Sequence, residues 1–260
     1  MRIAVLGAGS MGRWFAGILS GKHDLRILDI IPEKAGGIDG VRALKSMEQL
    51  REFRPELLLN AVSIQETVPV FRAAEPFIEP ECLLADVTSV KGNLPGYYRV
   101  CGLRFVSLHP MFGPTFANVE NLKHENVIMI TDSDPRGMAF FRGVFRNQGL
   151  NIFECGFEDH DRMIAYSLTL PFASSMIFSA CLDPEAVPGT TFRKHREIAK
   201  GLLSEDDHLL AEILLNPHSL EQLDRVTARL EFLKHVIRAR DQEELRRFFK
   251  DLRRNLGFPE

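Results

Sequence analysis

Ile3-Ala4-Val5-Leu6-Gly7-Ala8-Gly9-Ser10-Met11-Gly12 decides the fold, because four apolar strand residues run straight into Gly-x-Gly-x-x-Gly and helical spacing follows from Ser10 to Ser20. Gly7 permits the tight turn. Gly9 lets backbone approach a pyrophosphate, and Gly12 lets the helix pack close to the strand. The free N–H groups and the dipole at the helix N-terminus attract the anion. Asp29, 17 residues past Gly12, ends the next strand, where a carboxylate accepts hydrogen bonds from adenosine ribose hydroxyls and repels a 2′-phosphate. NAD is therefore expected over NADP, although Lys34 lies close by.

Outward from that turn, β-rich runs alternate with helical patterns, the signature of βαβ units and a mostly parallel sheet. Strands are expected at Ile3–Leu6, Leu25–Asp29, Leu57–Val62, Leu83–Val87, Phe105–Leu108, Val127–Ile130 and Asn151–Glu154. Helices are expected at Ser10–Ser20, Gln65–Phe77 and Pro135–Asn147. After Glu154 the strand pattern stops and long helices follow. The expected architecture is an α/β Rossmann-type dinucleotide-binding domain over residues 1–155, then an all-α substrate and dimerisation domain over 156–260. Gly7, Gly9, Ser10, Met11, Gly12 and Asp29 are the first cofactor candidates, joined by Ser63 and Thr88 just beyond later strands.

Composition agrees with a globular chain. The 260 residues are 45% hydrophobic and 26% charged, with a formal net charge of -3, so nucleic acid and anionic lipid are poor partners and small molecules better ones. The four cysteines are widely spaced, which suggests neither a zinc site nor a disulfide framework and fits a reducing cytoplasm. The N-terminal apolar run is too soon broken by glycine for a signal peptide. Residues Met163–Leu182 carry no charge over 20 positions, but five serine and threonine hydroxyls and Pro171 within them favour a buried helix or subunit interface over a membrane span.

Two segments past strand ends look like chemistry. In Asp86-Val87-Thr88-Ser89-Val90-Lys91, the residues Thr88, Ser89 and Lys91 are offered to the crevice at the carboxyl ends of the strands, although Ser89 is also a plausible helix cap. In Leu108-His109-Pro110-Met111-Phe112-Gly113-Pro114, prolines and a glycine fix the backbone around one imidazole, which can take the hydroxyl proton of an alcohol whose carbon surrenders hydride.

The glycine turn, Asp-Val-Thr-Ser-Val-Lys, His-Pro-Met-Phe-Gly-Pro and then Glu158-Asp159-His160-Asp161 opening an uncharged helix resemble, in this order, the prephenate dehydrogenases. The resemblance spans nearly the whole chain. It implies NAD-dependent oxidative decarboxylation of prephenate to 4-hydroxyphenylpyruvate, toward tyrosine, in a homodimer formed through the helical domain. Carried over by position, His109 would accept the ring-hydroxyl proton and Ser89 would bind the same hydroxyl, with Lys91 beside them on the substrate. The family pattern breaks where Phe172 follows Leu170-Pro171 in place of a histidine, and where Gly201 occupies an expected arginine position. Arg193, Arg196 and Lys200 are the nearby cations for a substrate carboxylate. His160 and Asp161 read as the start of the dimer helix, not as metal ligands. The alternatives are an arogenate dehydrogenase, a hydroxyacid dehydrogenase (disfavoured for want of a lysine in the uncharged helix), and a non-catalytic nucleotide-binding regulatory module.

Overall fold

The computed structural model describes residues 1–113, 121–183 and 185–259. Eight strands form one sheet: β1 (Arg2–Leu6), β2 (Asp24–Leu28), β3 (Val41–Ala43), β4 (Leu57–Asn60), β5 (Leu83–Asp86), β6 (Phe105–Pro110), β7 (Asn126–Ile130) and β8 (Asn151–Cys155), in the order β3-β2-β1-β4-β5-β6-β7-β8. Every neighbouring pair is parallel except β6 and β7. Alternation along β1 explains the layering. Ile3 and Val5 face a core built with Phe15, Phe141 and Phe145, while Ala4 and Leu6 face another built with Phe71, Tyr97 and Tyr98. Burying each of these aromatic rings contributes on the order of 2–3 kcal/mol, so both sheet faces are held by apolar area.

The helices that cover the two faces of the sheet are α1 (Ser10–Leu19), α2 (Gln49–Phe53), α3 (Ile64–Ala74), α4 (Leu94–Cys101) and α5 (Pro135–Asn147). α5 starts where Asp134 accepts hydrogen bonds from the Arg136 and Gly137 backbone N–H groups, with Pro135 in its first turn. After β8 the chain is helical: α6 (Phe157–Ile164), a π turn at Ala165–Thr169, α7 (Leu170–Ala180), α8 (Thr190–Leu203), α9 (Asp207–Leu214), α10 (Ser219–Ala239) and α11 (Gln242–Asn255). Pro171 has no N–H to donate and its ring crowds the preceding turn. The wider π turn just before it lets α6 and α7 run on as one 24-residue rod.

Three expectations need correction. The short edge strand β3, and α2 and α4, escape sequence reading: Val41-Arg42-Ala43 is too short to alternate, and α4 holds Pro95 and Gly96, which are poor helix formers. β6 runs on through His109 and Pro110, so the imidazole sits in a strand and not in a loop, with His109 opposite Ile128 of β7. Pro114 of the same motif lies outside the described residues. The uncharged rod is not buried within this chain either: only 22% of its most apolar window is covered, although by length and composition it could cross a bilayer.

The glycine turn divides into space and contact. Gly7 has φ +93°, and a Cβ there would lie 2.8 Å from the Ala61 carbonyl oxygen. A Cβ on Gly12 would overlap the Gly7 carbonyl, whereas one on Gly9 would have nothing within 4 Å. Gly12→Ala is thus expected to lower the melting temperature by several degrees, as a clash costing more than about 1 kcal/mol does. Gly9→Ala is expected to melt like wild type yet weaken dinucleotide binding at least about tenfold, or about 1.4 kcal/mol, by titration calorimetry. Equal effects of the two substitutions on melting would refute this division.

Candidate active site

A crevice runs over the glycine turn from Asp29, Lys34 and Met47 at one end to Val87, Thr88 and Ser89 at the other. Its two halves share Gly9, Ala61, Val62 and Ser63, the residues over which an extended dinucleotide would lie. Space at Gly9 and the N-terminus of α1 suit a pyrophosphate, so the residues present fit such a cofactor. Ser10 and Met11 line the far half, and Ser63 precedes α3 at the junction.

Asp29 has a structural task that the sequence did not reveal. Its Oδ2 accepts a hydrogen bond from Ala8 N–H at 2.6 Å and its Oδ1 accepts one from Ile31 N–H at 2.8 Å, which ties the glycine turn to the end of β2. Lone pairs remain for ribose hydroxyls. Lys34 and Lys45 line the same end and supply positive charge beside it.

The parallel pairing of Asp86 with Ser107 sets the segments after β5 and within β6 side by side. Ser89 lines the crevice, flanked by Thr88 and Pro110. His109, beside Pro110, is 4% exposed. Its Nδ1 lies 2.9 Å from Nε2 of His160, whose Nδ1 lies 2.9 Å from Asp161 Oδ1. Asp161 in turn accepts hydrogen bonds from Lys91 N–H at 2.9 Å and Gly92 N–H at 3.1 Å. His160 and Asp161 belong to α6, so the second domain supplies two members of this chain and the first supplies the third. The sequence alone reads them as the start of a dimer helix. The signal available was their adjacency at the opening of a helix, which says nothing of a partner 51 residues away.

Lys91 does not reach the crevice as a substrate ligand. It is 1% exposed, and its Nζ donates to Leu108 O at 2.7 Å, Asp86 Oδ1 at 2.8 Å and Thr88 Oγ1 at 3.3 Å. All three ammonium protons are engaged inside the protein. Thr88 lines the crevice but donates its hydroxyl proton to Asp86 Oδ1 at 2.8 Å, so it is not a free donor to a cofactor. Burial works against the Asp86 carboxylate, but the Lys91 ammonium and the Tyr98 hydroxyl outweigh it and hold its pKa below the usual range.

The three proposed substrate cations are not brought to the crevice within this chain. Arg193 turns to Pro188 O and Thr190 Oγ1, Arg196 pairs with Glu197, and Lys200 is exposed on α8. The helical wall of the crevice is acidic instead, with Glu205, Asp206 and Glu212 beside His208 and Leu209. Asp206 also caps α9 through the His208 N–H. Among the described residues, no lysine or arginine lines this half.

The family model described as "Prephenate dehydrogenase, nucleotide-binding domain" matches residues 34–147, beginning after the glycine turn. A "Probable arogenate/prephenate dehydrogenase" of Methanocaldococcus jannaschii is 22% identical, covering 96% of this chain and 60% of that protein. "Arogenate dehydrogenase 2, chloroplastic" of Arabidopsis thaliana is 26% identical over 95% of this chain and 73% of its own length. The chain thus spans about 60% to three quarters of these two relatives. Among solved structures, prephenate dehydrogenase from A. aeolicus in complex with hydroxyphenyl propionate and NAD+ superposes with a TM-score of 0.85 at 21% identity, covering 99% of this chain and 97% of that one. Synechocystis arogenate dehydrogenase superposes at 0.80 and 21% identity, with 99% of each chain covered. These likenesses establish a Rossmann-type domain followed by a helical one.

Burial, the neighbouring His160 and Lys91 hold the His109 pKa well below 6.5, and burial also lowers that of His160 despite Asp161. Both rings are therefore neutral in the fold near neutral pH. Below about pH 6.5 the unfolded chain binds protons that the folded one refuses, so stability is full above that pH and declines as pH falls. The depressed carboxyls of Asp86 and Asp161 add a loss of the same sign at lower pH. Melting temperature is expected to fall between pH 7 and pH 5, with a shallower slope in His109→Asn. A rise on acidification would contradict the neutral pair.

Proposed function

We propose that this chain, whose nucleotide-binding domain is that of the prephenate dehydrogenase family, oxidatively decarboxylates a prephenate-type cyclohexadienol on the route to tyrosine. The observation that carries the reading is the buried imidazole of His109, held in strand β6 one residue before Pro110, which lines a crevice continuous with the glycine turn. Gly9, Ser10, Met11, Ser63 and Asp29 would hold the dinucleotide. When bound, it supplies the hydride acceptor. Asp29 argues for NAD, against the opposing charge of Lys34 and Lys45.

His109 takes the ring-hydroxyl proton as that carbon is oxidised to a ketone, and Ser89 binds the same oxygen. Loss of carbon dioxide then restores an aromatic ring, which makes the overall path downhill. A base acting only as the carbonyl forms stabilises the transition state more than the bound substrate, so its loss falls on turnover.

For the substrate itself, one observation favours arogenate over prephenate. Arogenate carries an ammonium where prephenate has a keto group, and the carboxylates of Asp206 and Glu212 on the crevice wall attract an ammonium and gain nothing from a ketone. The exposed apolar residues Tyr166, Ile177, Leu182, Ile198 and Leu203 on and beside α7 and α8 support a homodimer through the helical domain.

The deciding assay follows NADH or NADPH formation from prephenate and from arogenate. Turnover with at least one substrate is expected, with arogenate preferred, whereas dinucleotide binding without reduction would replace the enzyme by a regulatory module. His109→Asn is expected to lower kcat at least about 100-fold with little change in KM. Near-normal turnover would remove His109 from the mechanism. Sedimentation at micromolar concentration should give a dimer, and a clean monomer would remove that part of the proposal.

A further inference from the structure

The hydrogen bonds around Asp161 determine where each proton sits. An ionised carboxylate can only accept, and Asp161 already accepts from two backbone N–H groups of the first domain, Lys91 and Gly92. His160 Nδ1, 2.9 Å from Asp161 Oδ1, must then carry its hydrogen. A neutral imidazole protonated at Nδ1 has a bare lone pair at Nε2. That Nε2 faces His109 Nδ1 at 2.9 Å, so His109 Nδ1 must be the donor and His109 Nε2 the bare nitrogen. The charged groups acting on the two rings are Lys91, Asp86 and Asp161, and burial with Lys91 nearby disfavours a second positive charge there.

We infer that His160 and Asp161 of the helical domain are positioning residues that lock His109 of the dinucleotide-binding domain in its Nδ1–H tautomer, leaving Nε2 as the nitrogen able to accept a substrate proton. The lock joins two domains. α6 contributes His160 and Asp161, the turn after β5 contributes the Lys91 and Gly92 N–H groups, and Asn216, ahead of α10, donates to the Asp161 carbonyl at 2.9 Å. Docking of the helical domain and preparation of the base are therefore one event. Without the carboxylate, His160 is free to adopt the opposite tautomer, which presents N–H to His109 Nδ1 and moves the His109 hydrogen to Nε2. The acceptor would then be lost without any heavy atom moving.

The inference rests on the reading of His109 as the base, and its first test does not depend on turnover. Long-range 1H–15N correlation of histidine-labelled wild-type protein near pH 8, assigned with His109→Asn and His160→Gln, should report Nδ1–H for both rings. An Nε2–H signal for His109, or a doubly protonated His160, overturns it. In Asp161→Asn, whose amide can donate to His160 Nδ1, His109 should switch to Nε2–H. Its kcat should fall on the order of 100- to 10,000-fold, with the dinucleotide Kd within about twofold of wild type. Asp161→Glu should recover at least about tenfold of that loss. A fall in kcat with the His109 tautomer unchanged would leave Asp161 a merely structural residue and overturn the inference. Should Asp161→Asn fail to fold, the wild-type spectrum decides alone. Should the chain oxidise neither substrate, the spectrum still reads the tautomer, so the two failures are distinct.

Discussion

A carboxylate set at a domain seam has to be met by donors, and Asp161 is met from both sides. Two backbone N–H groups after β5 reach it from the sheet, and its own neighbour His160 reaches it from α6. Charge-assisted hydrogen bonds of this kind are about twice as strong as neutral ones, and removing one partner strands the rest. The seam is therefore specified by polar geometry as well as by the small apolar cluster of Val90, Ile128, Ile164 and Ile213 that packs across it. Apolar packing alone would tolerate sliding, whereas three directed bonds onto one carboxylate do not.

The buried pair of Lys91 and Asp86 follows the same logic at greater cost. Desolvating two charges seldom gives net stability, and here both side chains are fully enclosed. The geometry obtained is specific: Nζ of Lys91 donates to the Leu108 carbonyl, one residue before His109, while its backbone N–H holds Asp161. One residue thus fixes the strand that carries the imidazole and the carboxylate that orients it. Tyr98 closes the far side with a 2.8 Å bond to Asp86 Oδ2. A hydrophobic replacement could fill the same volume but could not tie β5, β6 and α6 to one point.

What the sequence revealed divides along the same line between local and distant interactions. The glycine turn is local, since Gly7 and Gly12 are constrained by backbone a few residues away and by the β4 exit at Ala61. The central strands are legible because burial on both faces demands near-continuous apolar runs, as in Leu57-Leu58-Leu59. The tail of β6 was not legible: Pro110 looks like a strand breaker, and only its pairing with Val127 of an antiparallel neighbour shows otherwise. Lys91 illustrates the limit most clearly. Its spacing after Ser89 says that it stands near the crevice, but its direction depends on Asp86 and Leu108, which the spacing cannot weigh. His160 does stand near the start of α6, as the sequence suggests, but its contact with β6 is beyond what the sequence can show.

A buried base under the influence of a lysine ammonium is a weak one, and the proposed chemistry turns that weakness to use. An imidazole whose pKa lies well below 6.5 stays neutral through the physiological range, so nearly every molecule holds an available lone pair. Weak basicity would be a handicap if His109 had to remove a proton from an alcohol at rest. In the proposed reaction it would act only as the carbon is oxidised, when the hydroxyl has become far more acidic, and loss of carbon dioxide would then prevent return. The imidazolium formed at that moment is not alone either, since its Nδ1 hydrogen points through His160 to the ionised Asp161. Negative charge two bonds away stabilises the positive charge only while it exists, which is what separates catalysis from binding.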